Sequence, residues 1–300
     1  VQIGLVAKTL ARFGTEDQQS KWLPRLLSGD AIGCYALTEE GAGSDAGAIA
    51  TRATVEGDYV VLEGEKVWIT NGGVADVALV FATTDPAARH RGLECYVVPT
   101  TTPGFETQPM PGRELGHRAS DHARVTLEGV RVPRTERLGG AGRGFAIAMQ
   151  ALEVGRLNVA AGAVGIHRAC LDACVAFARS RRQFGRRIGD FQQVGAEIAE
   201  MAVDLEASRL LTYQGARLVD LGLDASATVS AAKLRATESA LKAATTALKL
   251  HGSRGYTDEL PLERHYRDVI ALTIYEGTSH VQRLILSRGL LGKDEEGDTA

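Results

Sequence analysis

Apolar and polar positions follow three different rhythms along this chain of 300 residues. At the start the spacing is helical. Thr15 stands where an N-cap belongs, Gln18, Trp22, Leu23 and Leu26 follow at helical intervals, and Gly29-Asp30 stops the run. From about Ala31 to Arg134 the rhythm shortens. Tyr59-Val60-Val61-Leu62, Val77-Ala78-Leu79-Val80-Phe81, Cys95-Tyr96-Val97-Val98 and Val125-Thr126-Leu127 read as strands, separated by turn residues at Glu56-Gly57-Asp58, Pro103-Gly104 and Glu128-Gly129. Short strands with no long helix between them predict a sandwich or barrel. Beyond Gly139-Gly140-Ala141-Gly142 the helical period returns in four stripes. They are Leu157 to Val175, then Val194, Ile198, Met201 and Leu205, then Leu234, Leu241 and Leu248, then Val281, Leu284 and Ile285. The prediction is an α+β chain: helices over 1–30, a β domain over 31–135, a four-helix bundle over 136–292 and a polar, disordered tail over 293–300.

Composition narrows the function classes. At 44% hydrophobic the chain can build a large core. A net charge of -3, with no basic stripe along any helix, argues against a nucleic-acid partner. No uninterrupted apolar run approaches the roughly 20 residues of a membrane span, so none is expected. Lys8 and Arg12 interrupt the apolar start, which does not read as a signal peptide. Cys34, Cys95, Cys170 and Cys174 have no histidine at a zinc-finger spacing, and read as buried free thiols of a reducing, cytoplasmic setting. With no HxxxH or HExxH spacing among the histidines, no metal is expected. Beginning at Val1, and not at Met, the chain reads as a fragment.

The candidate chemistry concentrates in a few segments. Tyr275-Glu276-Gly277-Thr278 precedes a helix that Thr278 or Ser279 can cap. A carboxylate on a tight turn beside a positive helix end suits a fixed general base. It also suits a plain capping acid. Trp68-Ile69-Thr70 ends a strand, where residues two apart share a face, so indole and hydroxyl should point the same way. A core aromatic is the alternative. Gly41-Ala42-Gly43-Ser44-Asp45-Ala46 matches a loose dinucleotide fingerprint, but β-like sequence follows where a helix is required. It reads as a loop whose N–H groups could meet a phosphate or pantetheine, or as an ordinary turn. Arg181 and Phe184 end the first long helix, where basic residues also suit the dipole. Glu153 and Arg156 open that helix, as pocket residues or as an ion pair.

Taken in order, Tyr35-Ala36-Leu37-Thr38-Glu39-Glu40-Gly41-Ala42-Gly43-Ser44-Asp45, Trp68-Ile69-Thr70-Asn71-Gly72-Gly73, Arg181-Arg182-Gln183-Phe184-Gly185, His251-Gly252-Ser253-Arg254-Gly255-Tyr256 and Tyr275-Glu276-Gly277-Thr278 resemble the motifs of the acyl-CoA dehydrogenase family. The resemblance runs from about Phe13 to about Leu291. It implies a β domain between helical segments, a C-terminal bundle, bound FAD, and further N-terminal helices ahead of this chain. Carried over by position, it implies flavin contacts from Tyr35, Leu37, Thr38, Gly43, Ser44, Trp68, Ile69, Thr70, Thr278 and His280. Arg181, Phe184, Gln192, Lys249, Gly252 and Ser253 would serve the flavin of a neighbouring subunit, and hence a homodimer or homotetramer. Ser44, Glu153, Arg156, Tyr275 and Gly277 would contact substrate. Lys249, Ser253 and His280 stand where the family often has Gln, Gly and Gln. Some relatives place their base just before the residue matching Arg156; here that position is Gly155, which points to Glu276.

The implied reaction is α,β-dehydrogenation of an acyl-CoA thioester. Glu276 would be the α-proton base, flavin N5 the hydride acceptor, and the electron-transfer flavoprotein a downstream acceptor. Two other readings keep the fold: a relative acting on a thioester of an acyl carrier protein, and a non-catalytic helical scaffold.

Overall fold

The computed structural model describes residues 1–292; the tail expected to be disordered lies outside the described residues. A capping box starts the predicted N-terminal helix. The Thr15 hydroxyl accepts from the Gln18 N–H at 3.3 Å, and the Gln18 side chain accepts from the Thr15 N–H at 3.1 Å. That helix, α2 (Glu16–Ser28), stops at Gly29 in the left-handed region, φ 87°. Ahead of it a π-helical stretch, Gln2–Ala7, runs into α1 (Lys8–Phe13).

The chain divides into two compact units, Val1–Arg113 with Arg118–Gly155, and Glu114–His117 with Arg156–Ala300. The first is built on seven strands: β1 (Gly33–Ala36), β2 (Arg52–Glu56), β3 (Tyr59–Thr70), β4 (Val77–Thr83), β5 (Leu93–Pro99), β6 (Phe105–Pro109) and β7 (His122–Pro133). They form one curled mixed sheet in the order β1-β4-β2-β3-β7-β6, with β5 on β4. The expectation of a sandwich or barrel is met by this single curled sheet. The β2–β3 hairpin turns at Gly57-Asp58, with Gly57 at φ 61°, as the sequence indicates. Strand β4 is buried along its whole length. Val77, Leu79 and Phe81 join Trp22, Leu26 and Ile147 in one core, while Ala78, Val80 and Ala82 join Val60, Leu62, Val125 and Val132 in another. Each fully buried Val, Leu, Ile or Phe among them contributes roughly 1.5–3 kcal/mol.

The second unit is helical. Helix α3 (Gly144–Ser180) enters it at Arg156 and is followed by α4 (Gln192–Asp220), α5 (Ser226–His251), α6 (Leu262–Leu272) and α7 (Ser279–Leu291). A two-residue-strand hairpin, β8 (Arg182–Gln183) with β9 (Arg186–Arg187), links α3 to α4. Three expectations change here. Helix α6 is additional, and the strongly one-sided placing of Leu262, Val269 and Leu272 is the signal that would have found it. On α5 the inward face is not Leu234, Leu241 and Leu248 but one residue ahead of each. Ala232, Ala236, Ala240, Ala243, Ala244 and Ala247 are buried, small residues that let helices approach closely, and Val229 and Lys233 are buried beside them. On α7 the buried positions are the polar Ser279 and Gln282, and Leu284 is left 46% exposed.

One more expectation is revised. Helix α3 is long and apolar enough to cross a membrane by length and composition, although no unbroken apolar run marks it. A core helix passes the same test, and within the second unit Val159, Ala160, Ala163, Cys170 and Cys174 of α3 lie in the bundle core.

Candidate active site

Between α6 and α7 the chain makes a turn that few side chains tolerate. Glu276 has φ 55° and Gly277 φ 92°, consecutive left-handed residues. The backbone at Gly277 favours glycine, and a Cβ there would lie 2.6 Å from Gln282 Nε2, so that the Gln282 amide would have to shift. Thr278, and not Ser279, caps α7: its hydroxyl accepts from the Val281 N–H at 3.2 Å.

Three side chains hold the two carbonyls of this turn. Lys233 Nζ donates to Gly277 O at 2.6 Å, Gln282 Nε2 donates to the same oxygen at 2.8 Å, and Arg156 Nε donates to Glu276 O at 3.3 Å. Lys233, Gln282 and Arg156 are all buried. Arg156 and Glu153 lie well inside α3 and do not open it, so their placement at a helix start is corrected. Lys233 and Gln282 had no role in the sequence reading; each sat inside a helical pattern that appeared complete without it.

The Glu276 carboxyl is half-buried, and its Oε2 is buried with no hydrogen-bond partner among the described residues. Burial pushes its pKa up from 4.5 to about 7, against the opposing pull of Lys233 and Arg156. The Glu276 N–H makes no hydrogen bond among the described residues. A carboxyl that is neither capping nor ion-paired, poised near neutrality beside a free N–H donor, is chemically equipped for proton transfer. The capping-acid reading fails because Thr278 supplies the cap. Beside it Tyr275 meets the His117 ring edge-on at 5.8 Å, and His117, at φ 51°, is itself bonded through its N–H to Asp268 Oδ1 at 2.7 Å.

The first unit carries its own constellation. At the end of β3 the register slips between Lys66 and Ile69, and Trp68 takes φ 59°. The break in alternation falls at Lys66 and Val67, both buried; beyond it Trp68 is 53% exposed and Ile69 buried. Ile69 points into the core, whereas Thr70 is half-buried with its hydroxyl unpaired among the described residues. Tyr35 and Leu37 also lie in the core, the Tyr35 hydroxyl donating to Ala148 O at 3.3 Å. What these two can offer a ligand is therefore main chain. Thr38 is half-buried and Gly43 and Ser44 are exposed on the loop that follows.

Glu39, which the sequence reading passed over, closes the neck of that loop. It accepts from Ala50 N–H at 2.6 Å, Thr51 N–H at 3.0 Å, Thr51 Oγ1 at 2.6 Å and the buried Lys66 Nζ at 2.7 Å. Burial draws the Lys66 ammonium down to about 8, with Glu39 opposing. The loop Gly41–Ser44 is thus a fixed rim with open space over its glycines.

The remaining predicted positions sit on helix ends of the second unit. Helix α3 stops at Ser180, one residue before Arg181, and Phe184 projects from the hairpin tip, 91% exposed at φ 52°. Gln192 opens α4, Lys249 lies exposed in the last turn of α5, Gly252 (φ 62°) and Ser253 follow it, and His280 is exposed in the first turn of α7.

Comparison with known proteins places the chain in a family. Three family descriptions match in succession: the N-terminal domain of acyl-CoA dehydrogenase over residues 1–30, its middle domain over 34–130 and its C-terminal domain over 142–291. The short-chain specific acyl-CoA dehydrogenase of Bos taurus mitochondria is 43% identical over 282 residues, covering 94% of this chain and 68% of that protein. Among solved structures, a glutaryl-CoA dehydrogenase from Mycobacterium smegmatis in complex with FADH2 superposes with TM-score 0.92 at 35% identity, over 98% of this chain and 74% of that one. The prolyl acyl carrier protein oxidase AnaB superposes with TM-score 0.94 at 36% identity, over 97% of this chain and 77% of that one. The fold is that of an acyl-thioester flavoenzyme. The chain belongs to the acyl-CoA dehydrogenase family, and FAD is the cofactor of that family.

The residues present fit such a cofactor. An exposed indole at the bulge gives a flat apolar wall, and the Thr70 hydroxyl is a donor for a ring nitrogen. The open glycine loop leaves main-chain room beside it.

Proposed function

We propose that this chain catalyses the FAD-dependent α,β-dehydrogenation of an acyl-CoA thioester, with Glu276 as the α-proton base. The observation that carries the proposal is the unpartnered, half-buried Glu276 carboxyl on a strained turn. Bound FAD supplies the acceptor for the β-hydride. Everything else falls to the chain. Glu276, as carboxylate, takes the α-proton. A thioester α-carbon is a very weak acid, so its carbonyl needs polarising, and the free Glu276 N–H is the available donor. Trp68 would wall the flavin ring and Thr70 would donate to its reactive edge. Main chain at Tyr35, Leu37 and Thr38, with Ser44, would line the same cofactor, and Thr278 and His280 are proposed as further contacts of it.

The same proposal makes the enzyme a homo-oligomer. A Phe184 ring held out at a hairpin tip, with Arg181 beside it, supports the reading that both serve the flavin of a second copy, along with Gln192, Lys249, Gly252 and Ser253. The bovine relative's name favours a short acyl chain, and electron-transfer flavoprotein is the proposed acceptor. A carrier-protein thioester is the second reading, favoured by the likeness to AnaB. The test is direct. The purified chain should be yellow, and a short-chain acyl-CoA should bleach it under anaerobic conditions. Bleaching only by a carrier-protein thioester would favour the second reading; a colourless protein that does not take up FAD would refute both.

A further inference from the structure

The turn bearing Glu276 is held at both ends by its own helices, and neither explains its conformation. Thr278 caps α7, and Gln282, which grips Gly277 O, lies only five residues further along the same helix, so it moves with the turn. What ties the turn to the rest of the bundle comes from elsewhere. Arg156 reaches from α3 at 3.3 Å, and Lys233 reaches from α5 at 2.6 Å. The Lys233 bond is the shorter and is charge-assisted.

Lys233 is also the costlier residue to place. It is fully buried, on the face of α5 otherwise made of Val229, Ala232, Ala236 and Ala240. An ammonium out of water is expensive unless it is well paired. The acceptor it finds is a main-chain carbonyl and not a carboxylate. Burial accordingly draws its pKa down to about 8, with Glu276 opposing and Arg156 adding to the fall. A methionine would fill the same space at no such cost. With Gln282, Lys233 occupies both lone pairs of Gly277 O, which fixes the peptide plane after a residue at φ 92°. A pair of left-handed residues persists only where the surroundings over-determine it.

We propose that Lys233 is a positioning residue for the reaction: it pins the carbonyl of Gly277 and thereby fixes the turn that aims the Glu276 carboxyl. This rests on Glu276 being the base. It assigns the buried cation to the aim of a carboxylate that it does not itself hydrogen-bond. Misplacing a reacting group by about 1 Å costs on the order of a hundredfold in rate, without requiring any loss of binding.

The experiment uses the FAD-loaded protein and two variants, Lys233→Met and Lys233→Gln, both of which remove the ammonium. Flavin content and melting temperature are recorded first. Reduction by a short-chain acyl-CoA is then followed by rapid mixing, with ordinary and α-deuterated substrate. The expected result is reduction slowed about 10- to 100-fold, a larger α-deuterium isotope effect, and a KM and flavin content near those of the wild type. The larger isotope effect is the readout a merely structural role would not produce, since it reports proton removal becoming slower than the steps around it. Wild-type rate and isotope effect in either folded variant would overturn the proposal. So would failure of both variants to fold, which would assign Lys233 to stability alone. Glu276→Gln run in parallel separates the two claims. Rapid reduction in that variant sinks the base assignment, whereas an inert Glu276→Gln beside a normal Lys233→Met sinks only the role of Lys233.

Discussion

Glu276→Gln should cost the enzyme its base and yet make it more stable above neutral pH. Burial raises the carboxyl from 4.5 to about 7, so the folded chain holds this proton more tightly than the unfolded one. Between those two values the unfolded chain has released the proton while the folded chain keeps it. The wild type therefore loses stability as pH rises through the window, and the loss is complete above about 7. A displacement of that size converts to about 3 kcal/mol at most, and on the order of 2 kcal/mol between pH 5 and pH 8. Glutamine is neutral throughout, so any packing cost it brings is the same at both pH values. The assay is urea unfolding of both proteins, saturated with FAD, at pH 5 and pH 8. The difference in stability between variant and wild type should move in the variant's favour by about 2 kcal/mol on going to pH 8. No movement, or movement the other way, would refute the claim that burial and not ion pairing governs this carboxyl.

The other predictions concern single contacts. Gly277→Ala places a Cβ 2.6 Å from Gln282 Nε2 at φ 92°, and should slow flavin reduction by about tenfold or more while flavin stays bound, measured by rapid mixing. Trp68→Ala should lower FAD retention in dialysis. Thr70→Val should keep the protein yellow but slow its reduction by about tenfold, and an unchanged rate would remove Thr70 from the site. Glu39→Ala leaves the buried Lys66 ammonium with Leu37 O alone, and should destabilise the fold by about 3–5 kcal/mol in urea melts.

Much of the fold was legible because local signals and burial agree. The Thr15 cap, the Gly57-Asp58 hairpin and the apolar run Val77–Ala82 of β4 each announce themselves within a few residues. The motifs around Trp68 and Glu276 were legible as motifs. What was illegible depends on long-range pairing. Glu39 and Lys66 lie 27 residues apart, and either alone looks like a solvated charge. Lys233 and Gly277 lie 44 residues apart, and a lysine in a helical run reads as surface. The bulge between Lys66 and Ile69 needs the opposing β7 to define it, so the sequence of β3 alone left an outward indole and a core aromatic both open. On α5 the leucines drew attention away from the alanines, which bury less area but form the helix contact. On α7 the polar Ser279 and Gln282 are buried because the turn needs Gln282, a demand no hydrophobic period records.

The central claim is that Glu276 removes the α-proton, and one measurement addresses it most directly. Wild type and Glu276→Gln, each loaded with FAD, are mixed anaerobically with a short-chain acyl-CoA at pH 8, and the oxidised flavin absorbance is followed. The wild type should bleach rapidly. The variant should stay yellow, slowed by a factor of about 10² to 10⁴ or more, since no other carboxyl shares the turn. Bleaching of Glu276→Gln within a few-fold of the wild-type rate would contradict the account.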